Sequence, residues 1–235
     1  MVADIWQGFK NFLLNEFGIP VNDGQVELFK RFLDELLVWG KKFNITKILE
    51  PVEIIYLHFA DSLAGAAALR KMADGSFSGS GFSAVDVGTG AGFPGLPLKI
   101  LFPQMELLLV ESVKKKAVFL EHIIGALGVE NTTVACNRAE DIVRDAVQRG
   151  KYDFSFARAL KKFDESARLC LPFLKNGGTA LFWQTEKSFG ARGHDSRRGY
   201  RLKGDHSHEA HEAQVITRYK LPMADIPRLI AGIAQ

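Results

Sequence analysis

Asp86, Glu111 and four glycines are the residues whose types and spacing could do chemistry together. An apolar run, Ala84-Val85-Asp86-Val87, leads straight into Gly88-Thr89-Gly90-Ala91-Gly92-Phe93-Pro94-Gly95. Glycines set this close let a backbone approach a ligand where a side chain would block it. A second apolar run, Glu106-Leu107-Leu108-Leu109-Val110, ends in Glu111, 25 residues beyond Asp86. An acid at that distance from a glycine turn is placed to hold the two hydroxyls of a ribose. The pairing predicts a nucleoside-containing cofactor.

Two cofactor classes fit such a turn. Gly90-x-Gly92-x-x-Gly95 satisfies the dinucleotide fingerprint, a weak signal on its own. Pro94 and Pro97 flank the final glycine. They remove backbone N–H donors at a helix start, where a pyrophosphate would be held. A nucleoside without phosphates tolerates that loss, and S-adenosylmethionine is one. Further along, Arg138-Ala139-Glu140 follows a third apolar run, where a backbone N–H and a carboxylate can read an adenine edge. Leu174-Lys175-Asn176-Gly177-Gly178 supplies a second glycine turn into an apolar strand. A nicotinamide enzyme would need a His or Tyr acid/base near the turn, and none is visible. The order of these features favours S-adenosylmethionine.

The elements that must position these residues follow from periodicity. Residues 1–75 read as a helical cap. Ile5, Phe9, Phe12, Leu13 and Phe17 recur at helical spacing up to Gly18-Ile19-Pro20. A second helix starts after an Asn22/Asp23 cap and is expected to end at Trp39-Gly40. A third is expected from Pro51, a favoured first-turn residue, to Met72. Residues 74–83, rich in Gly and Ser, read as a linker. Beyond it, strands are expected at 82–87, 106–111, 132–136, 152–157 and 179–184, with helices at about 95–102, 113–127, 139–149 and 163–174. That alternation, with almost wholly apolar strands, predicts an α/β domain over 76–235, packed with the cap as one unit around a parallel sheet covered on both faces. Polar residues 185–212 read as a long loop, and two short strands near 214–221 and 228–234 close the pattern.

Composition narrows the class. The chain has 235 residues, 47% apolar, enough for one sizeable core. Two cysteines, Cys136 and Cys170, make no disulfide framework and are expected reduced and buried. No secretory pattern opens the sequence, and no uncharged apolar run reaches the roughly 18 residues a membrane span needs. The expectation is a cytoplasmic protein without membrane attachment. His206, His208 and His211 lie near Asp205 and Glu209, but their spacing matches no defined metal site, so no metal is expected.

Several segments together resemble one family. They are Trp39 with Phe43-Asn44-Ile45-Thr46; His58 with Asp61-Ser62; Val85 to Leu98, with its Phe93-Pro94-Gly95-Leu96-Pro97-Leu98 extension; and Phe156-Ala157-Arg158-Ala159. The chain is similar over about residues 25–184 to the bacterial small-subunit ribosomal RNA 7-methylguanosine methyltransferases, methyltransferase G, formerly glucose-inhibited division protein B. The resemblance implies a class I, Rossmann-like methyltransferase fold: a mostly parallel seven-stranded sheet with helices on both faces and a helical N-terminal cap. It implies methyl transfer from S-adenosylmethionine to ring nitrogen 7 of a guanine in 16S ribosomal RNA, free or in the small subunit, by a monomer. Gly88, Phe93, Ala139, Glu140 and Arg158 match its cofactor-contacting places, and Glu111 stands where it carries an acidic ribose partner. Asp86 and Gly90 belong to the same loop, with Asp86 orienting it or reaching the methionine amine.

The residues fit that reaction. Methylation of an exocyclic amine calls for an Asn/Asp-Pro-Pro-aromatic stretch after the fourth strand, and this chain has Ser155-Phe156-Ala157-Arg158-Ala159. A pyrimidine carbon calls for a nucleophilic cysteine there. Guanine nitrogen 7 carries an in-plane lone pair and no proton, so alignment suffices. Arg158 is then expected to position rather than shuttle protons. Asn44, Thr46, His58, Lys115, Lys161 and Arg197 are the candidate RNA contacts, with helix capping or internal packing the competing roles for Asn44, Thr46 and His58. Phe93 or Phe156 is expected to stack on a flipped guanine. Four basic clusters (Lys41-Lys42-Lys47, Lys114–Lys116, Arg158-Lys161-Lys162 and the loop with Arg192, Arg197, Arg198, Arg201 and Lys203) are expected on one face around the glycine loop. The family usually carries Lys-Gly after the fifth strand; here Gln184-Thr185 stands instead. That departure leaves open a different RNA target, or a non-catalytic RNA-binding role.

Overall fold

The computed structural model describes residues 2–72, 81–190, 200–201 and 212–235. Helix α1 spans Val2–Phe17 and α2 spans Asp23–Phe43. The α2 start is fixed by a capping box: Gln25 N–H donates to Asn22 Oδ1 at 2.9 Å, and Asn22 N–H donates to Gln25 Oε1 at 3.1 Å. The helix does not end at Gly40 as its sequence suggests. It continues to Phe43 and closes on Asn44, left-handed at φ 51°, whose N–H bonds to Gly40 O at 3.1 Å. Gly40 serves packing instead, since a Cβ there would sit 2.7 Å from Leu49.

The third helical stretch runs through α3 (Pro51–Glu53), a π-helical segment (Ile54–Ala60) and α4 (Asp61–Met72). A π turn re-aims side chains relative to regular helix and is frequent at functional sites. Here it carries His58 and leads into Asp61 and Ser62. Pro51–Arg70 is long and apolar enough to cross a membrane by length and composition, yet 67% of its most apolar window is buried inside the protein, as in a core helix.

The rest alternates. Its elements are β1 (Ser83–Val87), α5 (Gly95–Leu101), β2 (Glu106–Val110), α6 (Lys114–Leu127), β3 (Thr132–Ala135), α7 (Ala139–Ile142), β4 (Tyr152–Arg158), α8 (Phe163–Cys170), β5 (Leu174–Thr185), α9 (Glu186–Gly190), β6 (Tyr200–Arg201), β7 (Glu212–Tyr219) and β8 (Arg228–Ala234). The sheet order is β3-β2-β1-β4-β5-β8-β7-β6, with β1 to β5 parallel and β8 antiparallel between β5 and β7. The seven expected strands are present, and β6, two residues long, adds an eighth at the edge. Two helices are shorter than their patterns predict. After Ile142 the chain breaks into turns up to Gly150, with Val147 exposed, because the segment has little apolar surface to bury. After Cys170 a 3-10 turn, Leu171–Phe173, holds Pro172, which cannot continue the ladder.

One core joins Phe9, Phe29, Phe32, Phe59 and Leu63 of the helical segment to Ala84, Leu107, Leu109 and Phe156 of the sheet. A second lies on the opposite face, between Val85, Val87 and Ala180 and the residues Phe163, Ala167 and Phe173. Cys170 is buried in it, whereas Cys136 is exposed because β3 lies at the sheet's margin. A tight joint between helix and sheet is Gly65 against Trp183, where an added Cβ would lie 2.2 Å from the indole. Gly65→Ala should therefore destabilise by about 1–3 kcal/mol, read as a lower urea midpoint at unchanged slope. An unaltered midpoint would mean that Trp183 moves freely.

Candidate active site

The carboxyl ends of the parallel strands carry the site, as the strand order requires of a ligand crevice. Gly88, Gly90 and Gly92 all adopt left-handed φ, at 69°, 65° and 95°. The amides of Gly88 and Thr89 turn back to Val110 O at 2.9 and 3.1 Å. Asp86, fully buried beneath the loop, accepts the Thr89 hydroxyl at 2.7 Å and the Gly95 amide at 2.8 Å on one oxygen. A Cβ at Gly95 would fall 2.8 Å from that oxygen, so the glycine is needed for the carboxylate to reach the backbone. Glu111 holds the other side of the loop: its two oxygens accept Gly90 N–H at 3.0 Å and Val113 N–H at 2.8 Å. Each oxygen has a second lone pair left for an incoming hydroxyl.

Burial raises the Asp86 carboxyl to about 7, against the lowering by its two hydrogen bonds and with a further push from Glu111. A folded value above the ordinary 3.8 favours the fold at low pH. That contribution is full below about pH 4 and lost as pH rises through about 7. Thermal melts across pH 4–8 should show this loss, and Asp86→Asn should flatten it; an identical slope in the variant would assign the titration elsewhere.

Beside the loop lies a cleft of about 390 Å³, lined by Gly88, Val110, Ser112, Arg138, Ala139 and Glu140 among others. It brings the glycine turn, the end of β2 and the start of α7 to one place. The open space at Gly90, the lone pairs of Glu111 and the polar Asn137–Glu140 corner fit an adenosine. Lys161 lines this cleft and also a larger one, of about 940 Å³, with Ile48, His58, Arg158, Trp183, Gln184, Thr185, Ser188 and Arg228.

Arg158 is the hub between the clefts and the helical segment. Its guanidinium lies 3.2 Å from Asp61 Oδ2, donates to Ser62 Oγ and His58 O at 3.2 Å, and reaches His58 Nδ1 at 2.5 Å. Asp61 is fully buried. It also accepts the Tyr219 hydroxyl at 2.9 Å and lies 3.4 Å from Arg228, while its carbonyl takes the Trp183 indole N–H at 2.7 Å. Burial, aided by the Arg158 charge, pushes His58 down to about 3, so the ring is neutral across the physiological range.

Several expectations need correction. Phe93 is buried, with one ring face on His58 (centroids 4.5 Å) and a stacked contact to Phe32 (5.3 Å), and Phe156 is fully buried against Trp183. Neither presents a face to a base. Arg158 is not part of a surface rim, because ion pairing with Asp61 holds it inside. His58 is half-buried on the wall of the larger cleft, with both ring nitrogens engaged by Thr46 and Arg158. Asn44 is exposed and acts as the α2 cap. Thr46 bonds to His58 and Ile48. Arg197, the other loop cations Arg192, Arg198 and Lys203, the Arg201 side chain, and the histidines 206, 208 and 211 lie outside the described residues.

Two of the basic clusters sit on helices that pack against each other. Helices α2 and α6 run antiparallel: Arg31 bonds to Ala126 O, Glu35 lies 2.8 Å from His122, and Trp39 packs on Phe119 at 5.6 Å. Lys41 and Lys42 in the last turn of α2 and Lys114 and Lys115 in the first turn of α6 are all exposed, and Lys161 lines the cleft beside the glycine loop. Sequence reasoning missed Tyr219 and Arg228. Nothing local marks either one; only the antiparallel insertion of β8 brings Arg228 opposite Thr185.

A glycine turn between β1 and α5, an acid ending β2, and this strand order define a class I S-adenosylmethionine-dependent methyltransferase. In fold, the chain is similar to a putative O-methyltransferase from Klebsiella pneumoniae (TM-score 0.58, 12% identity, all of both chains covered). It is equally similar to an O-methyltransferase from Bacillus cereus in complex with SAH (TM-score 0.58, 13% identity, all of both chains). In sequence, the family model for rRNA small subunit methyltransferase G matches residues 25–198. The protein named ribosomal RNA small subunit methyltransferase G in Leuconostoc citreum is 38% identical over 168 residues, 72% of this chain and 68% of that one. The protein of the same name in Roseiflexus sp. is 41% identical over 165 residues, 70% of this chain and 67% of that one. The chain belongs to the rRNA small subunit methyltransferase G family.

Proposed function

We propose that the protein methylates ring nitrogen 7 of one guanine in 16S ribosomal RNA, acting as a cytoplasmic monomer without a membrane or metal. When bound, S-adenosylmethionine supplies an electrophilic methyl group on a sulfonium. Gly88, Gly90, Glu111, Ala139 and Glu140 hold the adenosine, Asp86 keeps the loop in shape from below, and Phe93 backs the reaction centre through His58. Residues 1–75 cap the sheet domain, 76–235, and close the larger cleft, which takes the guanine.

The observation that carries this reading is the set of described side chains at the larger cleft, which are cations, an engaged imidazole and neutral groups. Among its described lining residues, Arg158, Lys161 and Arg228 are cations, and the one imidazole has both nitrogens engaged. An amine or hydroxyl target would have to lose a proton there. Guanine nitrogen 7 has none to lose, so the protein's task is alignment and exclusion of water. The alternative reading, a different RNA target or none, draws on Gln184 and Thr185, which line the cleft where the family usually carries Lys-Gly.

Methyl transfer from radiolabelled S-adenosylmethionine to purified small subunits and to naked 16S RNA, with the product mapped, tests the reading. A single 7-methylguanosine is expected. Tight cofactor binding with no label would favour the alternative.

Lys115 and Lys161, with Lys41 and Lys42, form the rim that takes RNA phosphates, and Asn44 stands beside them; Arg197 joins the same role. Replacing Lys115 or Lys161 by Ala should lower the slope of log affinity against log salt by about 1 each. Unchanged slopes would remove these lysines from the interface.

A further inference from the structure

Neither ring expected to stack on a base is open to one, since Phe93 and Phe156 are both buried. Among the described residues one aromatic side chain is exposed, Phe43, at 45%. It is the last residue of α2, and the left-handed Asn44 follows it. Its ring lies on Trp39, one turn earlier, with centroids 5.2 Å apart and planes at 43°. Trp39 in turn packs on the fully buried Phe119 (5.6 Å) and on His122 (5.1 Å). Phe43 is thus the outer end of a row of rings rooted in the core. A tilted contact steadies it, and nearly half of its surface stays in water.

The charges around it are unspent. Lys41 and Lys42 precede it in the last turn of α2, and Lys47 follows shortly after the cap; all three are exposed. Lys114 and Lys115, exposed in the first turn of α6, come about one turn before Phe119, the ring that supports Trp39. None of these five has a carboxylate partner among the described residues, whereas Lys10, Lys30, Lys151 and Lys175 pair with Asp23, Glu27, Glu106 and Asp153. A single exposed apolar side chain is ordinary on a surface. A ring held by other rings and set among unpaired cations is what a single-stranded nucleic acid uses, with bases stacking and phosphates tracking the charge. Ile48, five residues on, lines the larger cleft, and Phe43 does not. Five residues of chain span at most about 18 Å, so the ring stands close to the cleft and outside it.

We propose that Phe43 is the stacking platform for an unpaired base near the target guanine, with Lys41, Lys42 and Lys47 on the phosphates around it. This rests on the reading above that RNA is the substrate. The ring is held before RNA arrives, so little side-chain freedom is lost when a base settles on it. The contact is sequence-tolerant, because every base has a π-face. Its task is to anchor the strand beside the larger cleft, so that the guanine enters from a fixed point.

The test separates the ring from the charges. Affinity for naked 16S RNA is measured over a series of salt concentrations for wild type, Phe43→Leu and Phe43→Trp. Leucine keeps an apolar cover over Trp39 and has no π-face, whereas tryptophan keeps the face. Phe43→Leu should bind about ten-fold more weakly at every salt concentration, with the slope of log affinity against log salt unchanged, and Phe43→Trp should bind like wild type. RNA ligated with a single abasic nucleotide, moved through the positions flanking the mapped guanine, should show one position where the missing base costs wild type a similar factor and costs Phe43→Leu nothing further. Equal affinity of Phe43→Leu and wild type would overturn the proposal. So would a loss that Phe43→Trp does not restore, which would make Phe43 a mere cover for Trp39. Should Phe43→Leu not fold, the abasic series on wild type decides: indifference to every flanking position overturns the proposal. RNA affinity that depends on Phe43 in a protein that forms no 7-methylguanosine would defeat the methyl-transfer reading and leave the stacking contact standing.

Discussion

Asp61→Ala should lower folding stability by about 3–5 kcal/mol, the cost of breaking a buried ion pair from one side. The carboxylate is fully buried between two guanidiniums, Arg158 at 3.2 Å and Arg228 at 3.4 Å. Its removal leaves two like charges facing each other, with little water to replace the lost counter-charge. The Tyr219 hydroxyl, which burial and the Asp61 charge hold well above its usual range, loses its acceptor in the same step. The buried Nε of Arg228 already lacks a partner, so that side chain has no reserve of bonds. Urea unfolding should show the midpoint fall. Asp61→Asn, which keeps an acceptor for Tyr219 but no charge, should fall part of the way. A loss below about 1 kcal/mol in the alanine variant would mean that the guanidiniums reach solvent.

Arg158→Ala should reduce kcat/KM by about a hundred-fold or more, the scale of a misplaced reacting group, with the shape of the pH–rate profile retained. Arg158 binds Asp61, Ser62 and both the carbonyl and the ring of His58, and its guanidinium lies 5.4 Å over the Phe93 ring. Its loss releases the His58 ring, which backs the glycine loop through Phe93. Arg158→Lys should recover little, because a single ammonium cannot serve four partners in a planar fork. A new ionisation in the profile of either variant would show that Arg158 moves a proton, and would end the reading of this site as one that works by alignment.

The glycine loop, Asp86 and Glu111 were legible because they sit in short, local patterns: apolar strand, turn, apolar strand, acid. The parallel strands were legible because burial on both faces leaves them apolar throughout. What sequence could not show were roles assigned by distant partners. Gly40 resembles a helix stop, yet Leu49 takes the space beside it. Phe93 looks free to stack on a base, yet His58 and Phe32 lie against it. Arg158 reads as one more surface cation until Asp61, 97 positions earlier, is seen to bury it. Tyr219 and Arg228 carry no motif, and they join the site only because β8 pairs with both β5 and β7.

That pairing also makes one strand answer for two edges. Strand β8 fills the gap between two strands that are both made before it. Without it, β5 and β7 would each present an open edge of unpaired backbone groups, the kind that recruits other chains, and Asp61 would lack its second guanidinium. One strand thus covers two edges and brings Arg228 to Asp61, so the completeness of the sheet and of the charge cluster beside the larger cleft depend on the same seven residues.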